Sequence, residues 1–432
     1  MNKTLYLRAD GRRLRRWTAL CLFNLAIVAA LGLLLRYKGA FYLPVVNYKY
    51  LLNAHSHFAF SGWITTALFV GMLHILVKSG GNIGKLYPSL FWFNQLASLG
   101  MLVSFMMQGY GAVAIFFSAL SVVFSYCFAI CYWRDLGRCL LPAVVKLCLR
   151  MALIFLVVSS AGPYLLAYSM AHRLGNMTFY YNSIYLYLHF QYNGWFSFGV
   201  MGLFFWLLHE RGVPLSAIGF RWFAGLMGAA CVPAYGLSLL WMGPPVWVRV
   251  VAASAGLLQV TALVVLLLGL RGLLFRGERL LLRPGARKRE VGWVGLLLRL
   301  SVLAFVVKIG LQALSAVPAL GTFAFGFRPV IIGYLHLVVL GFVSFFLLGF
   351  FIGTGLSAKP EGPARWGLSC FIVGVVGNEL FLLVQSGLAM AGVAWRAAPY
   401  YLLGVAVLLF AGTAGYLVKG QVTKFISAVD GG

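Results

Sequence analysis

Three of the seven histidines in this 432-residue chain open the same short pattern. After each histidine come four residues, then a glycine, an aromatic, one further residue and a serine or threonine. The copies run from His57 to Gly62, Trp63 and Thr65, from His189 to Gly194, Trp195 and Ser197, and from His336 to Gly341, Phe342 and Ser344. The histidines stand 132 and 147 residues apart, and self-similarity at a long, nearly regular period points to one ancestral unit copied three times. Neutral imidazole is the commonest ligand for a metal or haem iron, with its second nitrogen oriented by an acceptor. A fourth histidine, His55, precedes His57 by two residues. On a helix two such side chains point about 160° apart, so they serve different partners and do not chelate one ion together. The glycine is expected to allow a close helix crossing, and the hydroxyl to bond a backbone carbonyl. Glu379 is the one carboxylate inside an apolar stretch, with Lys308 and Asn378 as candidate partners; an ionisable group in such a place marks an ion or proton path or a buried pair.

The elements that carry these residues are membrane spans. The chain is 62% hydrophobic and only 10% charged, with long uncharged runs, which excludes an ordinary soluble domain. Twelve stretches are long enough to cross a hydrocarbon core of about 30 Å: approximately 15–36, 53–77, 87–109, 112–133, 147–170, 181–208, 217–241, 247–274, 291–314, 329–354, 366–392 and 399–418. None shows the alternation of a barrel strand, so the expected fold is an all-α integral membrane protein. It forms a single polytopic domain, 1–432, made of three pseudo-symmetric units of four spans, approximately 1–133, 134–274 and 275–432.

The net charge of +26 follows this topology. With a cytoplasmic N-terminus, 24 of the 34 lysines and arginines fall on inner segments, the positive-inside pattern, and both termini are cytoplasmic. A bacterial inner membrane is the expected location and the lipid bilayer the first partner. No basic run is interleaved with base-stacking aromatics, so nucleic acid is not an expected partner. The seven cysteines show no paired spacing and read as small apolar residues. His74 and His209 are expected as solvated caps near the inner interface, and His172 at the outer one.

Depth then groups the histidines. Spans two, six and ten all run inward. His57 lies eight residues past Lys49, His189 eight past Tyr181 and His336 eight past Arg328, about 12 Å below the outer boundary. The sixth span is the most polar, with Tyr187, Gln191, Tyr192 and Asn193 around its histidine, so it should face the bundle interior.

Twelve spans, histidines near the outer ends of the second, sixth and tenth, and Arg396 before the twelfth resemble the catalytic subunit of the haem-copper oxidases and nitric oxide reductases. The resemblance implies a b-type low-spin haem between His57 or His55 on the second span and His336 on the tenth. It implies Arg396, helped by Arg328, on the haem propionates. It also implies copper at His189, drawing on His55, and acid–base or redox roles for Glu379, Tyr334 and Tyr187. A quinol or cytochrome donor, or a redox partner subunit, would supply electrons for nitric oxide or oxygen chemistry. The chain departs from that family in having Tyr334-Leu335-His336 where the tenth span carries His-x-His, and in having no histidine pair in the seventh span. His55-Ser56-His57 is also similar to the His-Ala-His of NnrS-type membrane proteins, with a haem-linked role in nitric oxide metabolism. Two further readings stay open: a copper or zinc site made directly by His57, His189 and His336 with His55, and a transporter or channel built around Glu379.

Overall fold

Residues 3–213, 218–276 and 288–417 are described in a computed structural model of the chain, and all that follows concerns them. Arg279, Arg283, Arg287, Lys419 and Lys424, on which part of the charge topology rests, lie outside them. The described chain is helical throughout, and eleven helices are long and apolar enough to cross a membrane. In chain order the rods are α1 (Lys3–Ala40), α2 (Tyr48–Lys78), α3 (Leu86–Gln108), α4 (Ala112–Arg138), α5 (Ala143–Ala171), α6 (177–210), α7 (Gly219–Met242), α8 (Val246–Arg276), α9 (Lys288–Leu314), α10 (Arg328–Thr354), α11 (Pro363–Met390) and α12 (Ala398–Leu417). The one not among the eleven is α6, whose polar side chains dilute its apolar character.

Local chemistry sets the ends. Asn47 caps α2, its Oδ1 accepting from the Lys49 and Tyr50 amides at 2.9 and 3.2 Å, and Asn176 caps α6 through the Phe179 amide at 3.0 Å, each satisfying donors that the first turn leaves open. Pro329 and Pro363 sit in the first turns of α10 and α11, where a missing N–H costs nothing. Pro233 falls inside α7, and from it to Met242 the chain winds as a tighter 3-10 helix.

Three rods, α2, α6 and α10, form the middle of the bundle, and they change character half-way along. From Phe58 to Val77, 189 to 208 and Gly341 to Ile352 nearly every residue is buried. In the halves that hold His55, His57 and His336, and in the turns of α6 before His189, burial is partial, and between Arg328 and His336 no residue is fully buried. The switch coincides with a π-helical turn in each rod: Ala59–Thr65, Phe190–Phe196 and Leu337–Ser344. All three begin within two residues of the pattern histidine. A π turn takes an extra residue into the ladder and leaves carbonyls without their usual partner. The expected hydroxyl-to-carbonyl bonds fill that role: Ser197 Oγ donates to Tyr192 O and Ser344 Oγ to Val339 O, both at 2.6 Å. In α2 the neighbouring Thr66 takes the duty, donating to Ser61 O at 2.8 Å. Asn24 Nδ2 of α1 reaches Gly62 O at 2.6 Å and Ser301 Oγ of α9 reaches Phe342 O at 2.7 Å.

The pattern aromatics tie the three rods together in one rotational sense. Trp63 of α2 donates its indole N–H to Ser344 Oγ of α10 at 2.8 Å. Trp195 of α6 donates to Thr65 Oγ1 of α2 at 3.2 Å. The third step of the cycle runs from α10 to α6, and there the chain has Phe342, which has no N–H, facing the remaining pattern hydroxyl, Ser197, only by analogy. Each existing bond is buried and contributes about 0.5–1.5 kcal/mol. We expect Trp63→Phe and Trp195→Phe each to lower the unfolding midpoint of the detergent-solubilised protein by that order. Phe342→Trp should raise it, since a small cavity lined by Val200, Met201, Phe204, Ser301 and Phe305 adjoins Phe342 and gives the larger ring room. A midpoint lowered by Phe342→Trp would mean that the ring does not close.

Candidate functional site

His55 and His336 are prepared alike. His55 Nδ1 lies 3.1 Å from Val28 O of α1, and His336 Nδ1 lies 2.8 Å from Ile332 O, one turn back on α10. Each carbonyl can only accept, so each ring carries its proton on Nδ1 and keeps a bare Nε2. No protein group among the described residues is hydrogen-bonded to either Nε2. A backbone carbonyl holding the far nitrogen is how proteins orient a metal-ligating imidazole. Gly32 of α1 makes space for the first ring: a Cβ there would come within 3.3 Å of His55 Cε1. His55 and Arg36 both lie close enough to His336 to interact with it electrostatically. The two imidazoles therefore share one neighbourhood, bounded by α1, α2, α10 and α11.

Arg36 extends that neighbourhood. Its Nη2 donates to Asn378 Oδ1 of α11 at 3.3 Å, and Asn378 Nδ2 donates to Glu379 Oε1 at 3.0 Å. Asn378 is thus a partner of Glu379, as expected, but Lys308 is not. The first span as read from the sequence stops at 36, whereas α1 continues to Ala40 and brings this guanidinium into the bundle. The available signal was a lone arginine at the end of a long apolar run, a position from which a side chain can reach inward as easily as into water. The two arginines expected on haem carboxylates lie further out. Arg328 is exposed and sits over Tyr48, its Nη2 3.3 Å from the phenol oxygen and its guanidinium 5.5 Å from the ring centre; Arg396 is exposed.

His57 is engaged elsewhere. Its Nε2 is 2.9 Å from the Tyr110 hydroxyl, and its ring stacks on Phe105 of α3 with centroids 4.3 Å apart. The two histidines of the His-x-His pair do serve different partners, as the helical angle between them requires.

His189 uses both nitrogens. Nε2 meets Cys231 O of α7 at 2.8 Å, and Nδ1 faces Asn193 Nδ2 at 3.2 Å. Asn193 Oδ1 in turn accepts from Lys308 Nζ of α9 at 2.5 Å. Lys308 is 0% exposed. It also donates to Gln312 Oε1 at 3.4 Å, and the Tyr334 hydroxyl donates to the same oxygen at 3.3 Å. Tyr187, half-buried, packs near Phe60 with ring centroids 6.2 Å apart and closes over Gly162, where a Cβ would meet the Tyr187 Cβ at 2.7 Å.

The histidines thus fall into separate environments. Among the described residues no three His, Cys, Asp or Glu side chains converge to hold a metal ion, so the direct three-imidazole site is not assembled: His57 turns to Tyr110, and His189 to Cys231 and Asn193. All seven cysteines are free, and Cys127 is exposed while Cys231, Cys148, Cys139 and Cys21 are buried. His209 is exposed, as a solvated cap should be. His74 departs from that expectation: it is 6% exposed and meets Trp206 and Phe350 edge-on at 5.3 and 6.1 Å. Length counting placed it near an interface, but aromatics of α6 and α10 cover it.

Compared with known proteins, the sequence matches no family model and no curated protein. The functional reading therefore rests on the geometry above.

Proposed function

We propose that the chain is a haem-binding membrane protein of the type found in the haem-copper oxidase and nitric oxide reductase catalytic subunits, with a b-type low-spin haem ligated by His55 and His336. The observation that carries this reading is the matched pair of imidazoles on α2 and α10, each oriented by a backbone carbonyl and each with a bare Nε2. Such a haem supplies one-electron chemistry, in the service of nitric oxide or oxygen handling, with electrons from a quinol, a cytochrome or a partner subunit. The protein's part is to hold the rings at the right tautomer, to keep water from the iron with the apolar walls of α1 and α10, and to place a positive charge beside the site at Arg36. Arg36 would take the propionate-pairing role that the resemblance implies for Arg396 and Arg328. Glu379, tied to Arg36 through Asn378, belongs to the same site and needs no separate transport path to account for it.

The finer architecture is part of the proposal. With α6 counted as the twelfth span, the rods group as three units of four, α1–α4, α5–α8 and α9–α12, both termini cytoplasmic in a bacterial inner membrane. The recurrence of the π turn and of the indole-to-hydroxyl bond at equivalent places supports that tripling. The test is a reduced-minus-oxidised optical spectrum and a haem assay of protein purified from haem-supplied cells. We expect about one haem per chain with sharp low-spin bands. A well-folded preparation that holds no haem even after reconstitution would overturn the reading.

A further inference from the structure

The region between α6, α7, α9 and α10 is where the resemblance implies a copper ion, and its donor groups are arranged for something else. Nε2 of His189 is held by Cys231 O, and Nδ1 by the Asn193 amide. The Asn193 oxygen is held by Lys308. Lys308 itself is fully buried, and among the described residues no carboxylate pairs with it. The polar groups that face its nitrogen present oxygen, Asn193 Oδ1 at 2.5 Å and Gln312 Oε1 at 3.4 Å, and the Phe305 ring face lies 5.8 Å away. Carbonyl oxygens and an aromatic face are the neutral groups that solvate an ammonium. The orientation of the Asn193 amide follows from the same logic: its oxygen turns to the lysine and its N–H to the imidazole, so that every bond from Lys308 to Cys231 points one way.

We propose that Lys308 is a tethered cation standing where a metal ion would otherwise sit, fixing a positive charge beside His189 and keeping metal ions out of this half of the bundle. An incoming metal would have to displace Asn193 from His189 and approach an ammonium in a low-dielectric interior, where like charges repel strongly.

The experiment reads copper and not haem, so its failure is separate from failure of the haem reading. Purified wild-type chain, His189→Ala, and the double variant Lys308→His with Asn193→His are incubated with Cu(I) and with Cu(II) and desalted. Copper is then measured by mass spectrometry and by paramagnetic resonance. We expect wild type and His189→Ala to retain the same background copper. The double variant should gain about one equivalent, because imidazoles at 193 and 308 would then flank His189. Stoichiometric copper in the wild type that His189→Ala removes would overturn the proposal. A folded double variant with no more copper than wild type would overturn the claim that Lys308 stands at the metal position. If the double variant does not fold, the comparison of wild type with His189→Ala decides alone.

Discussion

Replacing either His55 or His336 by alanine is expected to abolish the low-spin haem spectrum, while His57→Ala leaves it in place. The two rings with a bare Nε2 are those of His55 and His336, so removing either leaves the iron one axial ligand short. We expect haem retention to fall by at least about tenfold, the lower end of what even loss of a supporting partner does to metal affinity, with any residual haem turning high-spin. His57 is stacked on Phe105 and bonded to Tyr110. Its truncation removes one hydrogen bond and the ring contacts with Phe105 and Tyr110, about 1–3 kcal/mol of stability together, and should show as a lower unfolding midpoint with normal optical bands. The decisive comparison is within the His-x-His pair. If His57→Ala lost the spectrum and His55→Ala kept it, the axial assignment would pass to His57 and the tautomer argument for His55 would fall. If all three variants kept it, no haem would lie between α2 and α10. The optical spectrum should be read beside size-exclusion profiles, which separate haem loss from unfolding.

That comparison also marks the limit of what the residues alone could say. Uncharged runs of about 20 residues leave helices as the only economical way to satisfy backbone groups in lipid, so the spans were legible before any coordinates. The crowded polar face of α6 was legible for the same reason, and 189–208 is buried as that reasoning required. The choice between His55 and His57 was not, because helical spacing gives the angle between two side chains and not which one faces α1. The π turns were hidden as well. A pattern with glycine at +5 and a hydroxyl at +8 makes little sense on a regular α-helix, and only the wider turn shows why Ser197 and Ser344 reach back five residues to a carbonyl. Lys308 was singled out, but with the wrong partner. Its contacts come from Asn193, 115 residues away, and from Gln312, neutral groups that charge pairing does not suggest. His74 was misplaced by counting residues from a presumed interface, and the role of Arg36 was not legible, because neighbouring aromatics and helix length decide where a side chain ends.

The three pattern glycines offer a sharper test of the bundle, because one sequence position should give three different costs. At Gly194 an added Cβ would lie 2.3 Å from the Cβ of Phe155 on α5. A Cβ cannot rotate away from its own backbone, so Gly194→Ala must push α5 and α6 apart. We expect destabilisation of about 2–4 kcal/mol, at the upper end of overpacking. At Gly62 the obstacle is the Phe58 ring edge at 2.7 Å on the same helix. The ring can tilt, and alanine's better helix propensity, worth about 0.5–1 kcal/mol, offsets part of the strain, leaving a cost of about 1 kcal/mol. At Gly341 the neighbour is Ala304 Cβ at 3.1 Å, a contact that a shift of a few tenths of an ångström relieves, so Gly341→Ala should be close to neutral. Unfolding midpoints of the three purified variants should therefore fall in the order Gly194 lowest, Gly62 intermediate, Gly341 near wild type. Equal effects would mean that the rods cross alike in all three places. The predicted order instead makes the α5–α6 contact the tightest of the three crossings, and that contact positions His189 and Asn193 for Lys308. Gly194→Ala should accordingly disturb the Lys308 site before it disturbs the pair His55 and His336, and a variant that kept its haem bands while losing stability would separate the two sites in one protein.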